Sequence, residues 1–203
     1  SFKTVQRSLI VGQPRPLTLS SVAHKLWRCP SLDEICPQGE TPFPIAPTTT
    51  ESEAAVAFTS GSTGIPKGVI YHQGMFRALV ALLRDEIGIA EGEVDLPGLY
   101  IFALFNPALG VTTVFPDMDA TKPAEVNPAY LVEAIQTFGV TNSFGSPTIW
   151  ERVARYCLGN DLKLPSLKRI LMAGAPVPPS LIRDFNHILE GGDVYTPFGA
   201  TEA

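Results

Sequence analysis

From Glu53 to the end of the chain, short apolar runs alternate with amphipathic stretches of helical length, and this alternation restricts the fold more than any other feature. Ala54 to Thr59 has the length and character of a strand. Met75, Leu79, Leu82, Leu83 and Ile87 then recur near helical spacing, with Gly88 where a helix cap belongs. Asn127 supplies an N-cap, Pro128 fits the first helical position, and Gly139 closes that helix. Val140 to Phe144 reads as a strand, Thr148 to Leu158 as a helix, and Gly159 as its stop. Leu167 to Met172, Pro179 to Leu189 and Val194-Tyr195 continue as strand, helix and strand. Strand and helix alternating at this spacing predict right-handed βαβ units, hence an α/β fold with a mostly parallel sheet flanked by helices.

Residues 1–52 differ. Seven of the 19 prolines fall there and little periodicity survives, so this segment is expected to be a Pro-rich lead-in, part of a larger domain. The 203 residues suit one or two domains. Hydrophobic residues make up 45% and charged residues 17% of the chain, which excludes an intrinsically disordered composition. A net charge of −5 and the lack of a Lys/Arg stripe argue against a nucleic-acid partner. Leu96 to Pro116 carries no charge, but Pro97, Gly98, Asn106, Pro107 and Gly110 interrupt it. A buried strand-loop-strand is expected there rather than a transmembrane segment. Cys29, Cys36 and Cys157 are too scattered for a disulfide framework or a zinc site, and no signal peptide opens the chain, so a cytoplasmic location is expected.

Three small-residue loops carry the chemistry, and each directly follows a predicted strand. They are Thr59 to Gly68, Ala173 to Pro176, and Phe198 to Glu202. Ligands of open parallel sheets bind outside the carboxyl ends of the strands, so the three loops are expected to converge on one crevice. In the first, Thr59-Ser60-Gly61-Ser62-Thr63-Gly64-Ile65-Pro66-Lys67-Gly68, hydroxyls and backbone N–H groups can face phosphate oxygens while Lys67 adds a point charge. Pro66 before Lys67 rules out a Walker A loop. A plain Gly/Ser turn is the competing reading, and the proline-lysine pair among three glycines disfavours it.

These motifs, in this order, resemble those of the acyl-adenylate-forming enzymes: acyl-CoA synthetases, luciferases and peptide-synthetase adenylation domains. Thr59 to Gly68 is similar to their phosphate loop, Gly174-Ala175-Pro176 to their adenine-pocket turn, and Phe198-Gly199-Ala200-Thr201-Glu202 to their aromatic-Gly-x-Thr-Glu motif. The resemblance implies that residues 53–203 are the ATP-binding core of the large N-terminal domain. It implies ATP and Mg²⁺ as cofactors, with Thr59, Ser60, Gly61, Ser62, Thr63, Gly64 and Lys67 around the β- and γ-phosphates. Gly174, Ala175, Pro176, Phe198, Gly199 and Ala200 would hold the adenine side, with the Phe198 ring stacked on the base. Thr201 would bind the α-phosphate and Glu202 the metal; Lys67, Thr201 and Glu202 are the expected catalytic residues.

The chain also departs from that pattern. Many members carry a histidine where Leu96 to Pro107 has none, leaving Tyr100 or Phe102 to fill its place. The chain opens on Ser1 and ends at Ala203, short of the ribose-binding aspartate and the C-terminal domain, so it is expected to be a piece of a larger enzyme that adenylates little by itself. Phe105 to Gly110, Pro116 to Asp119, Thr141 to Pro147 and Tyr195 to Phe198 resemble the olefin-biosynthesis branch, whose members act as β-lactone synthetases. That implies an AMP-forming ligase taking a small-molecule acyl substrate, a long-chain β-hydroxy acid, and assembly with other olefin-pathway enzymes. A long-chain acyl-CoA ligase is the first alternative and a non-catalytic nucleotide-binding module the second. For Ser146-Pro147-Thr148 a helix N-cap is expected, or the rim of an acyl pocket.

Overall fold

The structure is a computed structural model that describes residues 45–59 and 66–201. The expectations for residues 1–44, for Ser60, Gly61, Ser62, Thr63 and Gly64, and for Glu202 lie outside the described residues. A compact unit runs from Thr48 to Ala203. It opens with a two-stranded antiparallel hairpin of β1 (Glu53–Phe58) and β2 (Gly68–His72), followed by helix α1 (Gln73–Asp85). Then come β3 (Val94–Asp95), a 3-10 segment Tyr100–Phe105, the short helix α2 (Asn106–Leu109) and β4 (Thr112–Thr113). The chain continues through α3 (Pro128–Phe138), β5 (Asn142–Gly145), α4 (Pro147–Gly159), β6 (Arg169–Met172), α5 (Pro179–Ile188) and β7 (Asp193–Tyr195).

Strands β3 to β7 form one parallel sheet in the order β4-β3-β5-β6-β7. The chain leaves β3 toward β4 on one side and resumes at β5 on the other. The carboxyl ends of β3 and β5 therefore mark the point where the winding reverses, the place where an open α/β sheet offers a crevice. The chain follows the expected α/β class with its parallel sheet and helices. The first loop departs from it. Thr59 to Gly68 joins the strands of the antiparallel hairpin, outside the parallel sheet. A parallel partner needs a crossover of a dozen or more residues, and β1 and β2 are separated by too few.

The core lies on the parallel sheet. Leu131, Val132 and Ile135 of α3 are buried with Ile149, Trp150, Val153 and Cys157 of α4, Leu181, Phe185 and Ile188 of α5, and Ile170 and Met172 of β6. Each such aliphatic side chain stabilises the fold by about 1.5–3 kcal/mol. Trp150, 1% exposed, meets Phe185 edge-on with ring centroids 5.5 Å apart. Local signals set the ends of α3: the Asn127 side chain accepts the Ala129 N–H at 3.1 Å, and Gly139 takes the left-handed conformation at φ 60°. Ser146 is the N-cap residue of α4, as expected, but its side chain makes no cap hydrogen bond.

Three expectations need correction. Leu96 to Pro116 is mostly helical and only partly buried: β3 ends at Asp95, pairing with β5 runs on until Gly98 N–H donates to the Phe144 carbonyl at 2.7 Å, and the 3-10 segment that follows leaves Ile101 and Leu104 exposed, as is Phe115 after β4. Among the described residues no helix is long and apolar enough to cross a membrane. On α1, Met75 and Leu82 are 50% and 49% exposed. Of the expected stripe, Leu83 and Ile87 face inward, joined by Val80, and pack on Ile89, Leu109 and Val111. Glu86 rather than Gly88 caps α1, and Gly88 turns the chain at φ 74° two residues later. Gly159 is the last residue of α4, as expected of the helix stop, and the turn with positive φ follows at Asp161, φ 51°.

At the amino ends of β3, β5 and β6 a charged cluster locks the sheet. Glu93 is buried and accepts from the Arg169 guanidinium at 2.7 Å and from the Asn142 amide at 2.6 Å, with Lys168 at 3.2 Å. Burial would raise the Glu93 carboxyl, but the hydrogen bonds from Arg169, Asn142 and Lys168 outweigh it and hold the group below its usual range. This cluster lies at the end of the sheet opposite the two motif turns that follow β6 and β7.

Candidate active site

Two of the three motif loops leave adjoining strands. β6 and β7 pair in parallel with Leu171 opposite Tyr195. Gly174-Ala175-Pro176 therefore follows one carboxyl end, and Phe198-Gly199-Ala200-Thr201 follows its neighbour. The Ala173 N–H donates to the Gly145 carbonyl at 3.3 Å, which ties the first of these turns to the end of β5 as well. Gly174 adopts φ +89°, and a Cβ added there would meet nothing within 4 Å, so the turn borders open space. A left-handed residue beside open space lets backbone approach a ligand without a side chain between them. Ala175, Pro176, Gly199 and Ala200 are exposed. The Phe198 ring is fully exposed, at 100%. An unpartnered aromatic face of this kind is a platform for a planar base.

The lysine loop has a closed base. Thr59 N–H donates to the Lys67 carbonyl at 3.0 Å, so the segment between them arches out from a fixed pair of residues. Lys67 is exposed. The hairpin is brought to the third motif by one contact, since the Tyr71 phenol on β2 donates to the Thr201 carbonyl oxygen. The Tyr71 ring stacks on Phe76 of α1 with centroids 5.7 Å apart, and Phe76 meets Phe105 edge-on at 5.5 Å. The structure thus joins Thr59 and Lys67 to Thr201 through β2, and sets Gly174 to Pro176 beside Phe198 to Thr201.

Sequence reasoning missed several groups at the winding reversal. Asp95, at the carboxyl end of β3, is 8% exposed; its Oδ2 accepts from Asn106 Nδ2 at 2.8 Å, and the same amide donates to Thr113 Oγ1 at 2.8 Å. Burial pushes the Asp95 carboxyl up to about 6, against the opposing hydrogen bond from Asn106. An aspartate inside the apolar run Val94 to Leu96 was the signal available for it. Phe102 and Phe144 pack over the same place with centroids 3.9 Å apart. Nearby, Ser146 Oγ and Trp150 Nε1 are buried without a hydrogen-bond partner among the described residues. Tyr71 had no local signal at all.

No three His, Cys, Asp or Glu side chains among the described residues gather around a point that could hold a metal ion. Magnesium in phosphate sites is commonly bound by one or two carboxylates plus the phosphates themselves. The hydroxyl of Thr201 followed by the single acid Glu202 is a donor set of that kind.

Comparison with known proteins supports this architecture. The family model described as AMP-binding enzyme matches residues 13–203. The olefin β-lactone synthetase of Stenotrophomonas maltophilia is 42% identical over 201 residues, which are 98% of this chain and 36% of that protein. A long-chain-fatty-acid–CoA ligase of Thermus thermophilus is 32% identical over 182 residues, 84% of this chain and 33% of the ligase. The chain thus spans about a third of the length of these relatives. Among solved structures, the O-succinylbenzoate coenzyme A synthetase of Bacillus subtilis in complex with ATP and magnesium ion superposes with a TM-score of 0.67 at 23% identity, over 85% of this chain and 35% of that one. That likeness is one of fold. With adjoining strand ends carrying the two turn motifs and the lysine hairpin held to the second of them, the chain belongs to the AMP-binding enzyme family.

Proposed function

We propose that residues 53–203 are the nucleotide-binding core of an enzyme that activates a long-chain β-hydroxy fatty acid as an acyl-adenylate and closes it to a β-lactone, releasing AMP and pyrophosphate. One observation carries the reading. Two of the three motifs follow adjoining strand ends of this fold, and the chain is 42% identical over 98% of its length to a protein named olefin β-lactone synthetase, which supports the reading.

In the first step a carboxylate oxygen of the acid attacks the α-phosphorus of ATP, and the bond from that phosphorus to the bridging oxygen of pyrophosphate breaks. Lys67, with Thr59, Ser60, Ser62, Thr63 and the glycine N–H groups of the loop, offsets the charge that gathers on the leaving pyrophosphate. Thr201 donates to the α-phosphate, and Phe198 with Gly174, Ala175 and Pro176 holds the adenine. Glu202 is the residue that would hold magnesium, which when bound neutralises phosphate charge.

In the second step the β-hydroxyl oxygen of the same chain attacks the activated carbonyl carbon. The carbon–oxygen bond to AMP breaks, the hydroxyl proton is lost, and a four-membered ring closes. Ring strain opposes closure, but the tether between nucleophile and electrophile supplies a large effective concentration. A dry site protects the adenylate from hydrolysis. We place the reaction in the cytoplasm, where ATP is supplied, and include in the proposal a hand-off of the reactive lactone to further olefin-pathway enzymes.

Capture of the adenylate by coenzyme A is the second reading, favoured by the 32% identity to a long-chain-fatty-acid–CoA ligase. A bare nucleotide-binding module is the third. ATP–pyrophosphate exchange by the full-length protein, run with 3-hydroxy and unsubstituted acids of several lengths, tests the shared first step. Exchange that depends on a long-chain acid is expected. ATP binding without exchange for any acid would establish the binding module instead.

A further inference from the structure

We propose that Tyr71 is a positioning residue that fixes the lysine hairpin against the turn carrying Thr201, and so sets the spacing of the two halves of the phosphate site; the proposal rests on the adenylation reading above. Lys67 lies just before β2 of the hairpin, and Thr201 lies in the turn segment that follows β7 of the five-stranded sheet. The hairpin of β1 and β2 shares no ladder with the five-stranded sheet from which the Phe198 to Thr201 segment emerges. Among the described residues, the bond from the Tyr71 phenol to the Thr201 carbonyl is the one hydrogen bond that runs from residues 45–72 to the parallel-sheet portion, residues 94–201.

The phenol is built to hold that contact. Its ring is half-buried and stacked on Phe76 at 5.7 Å, and Phe76 is wedged edge-on against Phe105 at 5.5 Å. Phe105 immediately precedes Asn106, whose amide is fixed by Asp95 and Thr113. The donor therefore sits on a packed aromatic column anchored in the sheet. The acceptor sits on a segment in which Phe198, Gly199 and Ala200 are exposed. Without the bond, Thr201 keeps its covalent link to β7 but loses its only described hydrogen bond to the hairpin whose connecting loop carries Lys67.

The test is Tyr71→Phe in the full-length protein, because phenylalanine keeps the ring and its stacking and removes only the donor. Three quantities separate the outcomes: the dissociation constant of Mg·ATP by calorimetry, kcat and KM for ATP–pyrophosphate exchange with a long-chain 3-hydroxy acid, and the melting temperature. A neutral hydrogen bond is worth about a two- to tenfold effect, and misplacement of a reacting group can add to it. We expect kcat to fall about tenfold and Mg·ATP to bind about threefold more weakly, with KM for the acid and the melting temperature unchanged. A kcat and an ATP affinity both within about twofold of the parent would overturn the proposal, as would a lowered melting temperature with unchanged kcat, which would make Tyr71 a packing residue only. If the parent protein exchanges no pyrophosphate with any acid, the adenylation reading fails. ATP affinity then decides alone: weaker binding in Tyr71→Phe supports the positioning role, and unchanged binding removes it.

Discussion

Replacing Asp95 by asparagine should change how stability depends on pH, by an amount the structure fixes. The Asp95 carboxyl is buried and its ordinary value of 3.8 is pushed up to about 6. In that interval the folded protein keeps a proton that the unfolded chain has released, so stability falls as the pH rises and levels off above the folded value. The full cost of the ionised group is about 3 kcal/mol. About 1 kcal/mol of it is present by pH 4.5, so about 2 kcal/mol should appear between pH 4.5 and 7.5. Asparagine keeps an oxygen that can accept from Asn106 Nδ2 and carries no charge at any pH, so the variant should lack this loss. Glu93 acts in the opposite sense: its carboxyl is held below the ordinary 4.5, and its contribution is present above that value and lost as the pH falls through the folded one. Subtracting the parent profile from the Asp95→Asn profile cancels Glu93 and every other shared group. Urea unfolding followed by tryptophan fluorescence at several pH values gives both curves. A difference that grows by about 2 kcal/mol toward neutral pH is expected, and one constant to within about 0.5 kcal/mol would refute the assigned burial of the charge.

Other perturbations separate fold from chemistry. Lys67→Ala and Glu202→Ala should each lower ATP–pyrophosphate exchange by about 100-fold or more while leaving the melting temperature unchanged, because Lys67 is exposed on its loop and both residues are assigned to phosphate charge. Phe198→Ala should weaken ATP binding about fivefold or more without loss of stability, since a ring that is 100% exposed packs on nothing in the fold. Arg169→Met should cost about 1.5–3 kcal/mol in denaturant unfolding, as the buried Glu93 carboxylate loses its guanidinium partner at 2.7 Å and keeps only Asn142 and Lys168. Glu93→Gln combined with Arg169→Met should recover part of that loss, which a double-mutant cycle would measure.

Elements whose ends are dictated by neighbours in sequence were legible. Asn127, Pro128 and Gly139 announce α3 from start to finish, and the structure uses them as N-cap, first helical residue and left-handed C-cap. Non-local choices were not legible. Nothing in Ala54 to Phe58 says whether its partner is antiparallel β2 or a strand of the parallel sheet, because an apolar run fits either. The same holds for α1, where Met75, Leu82 and Leu83 read alike but only the stripe through Val80 and Leu83 faces a partner. At the site, residue types and their order were readable, while the contact that brings the first motif to the third spans 130 residues and left no trace in local pattern. Asp95 was readable in principle as an acid in an apolar strand, and only its burial with Asn106 and Thr113 gives it meaning.

The product formed by the full-length protein tests the central claim most directly. With Mg²⁺, ATP and a long-chain 3-hydroxy acid, in the presence and absence of coenzyme A, NMR should show a β-lactone and AMP in both reactions. A thioester that forms only when coenzyme A is present, with no lactone in either, would contradict the account and make this an acyl-CoA ligase.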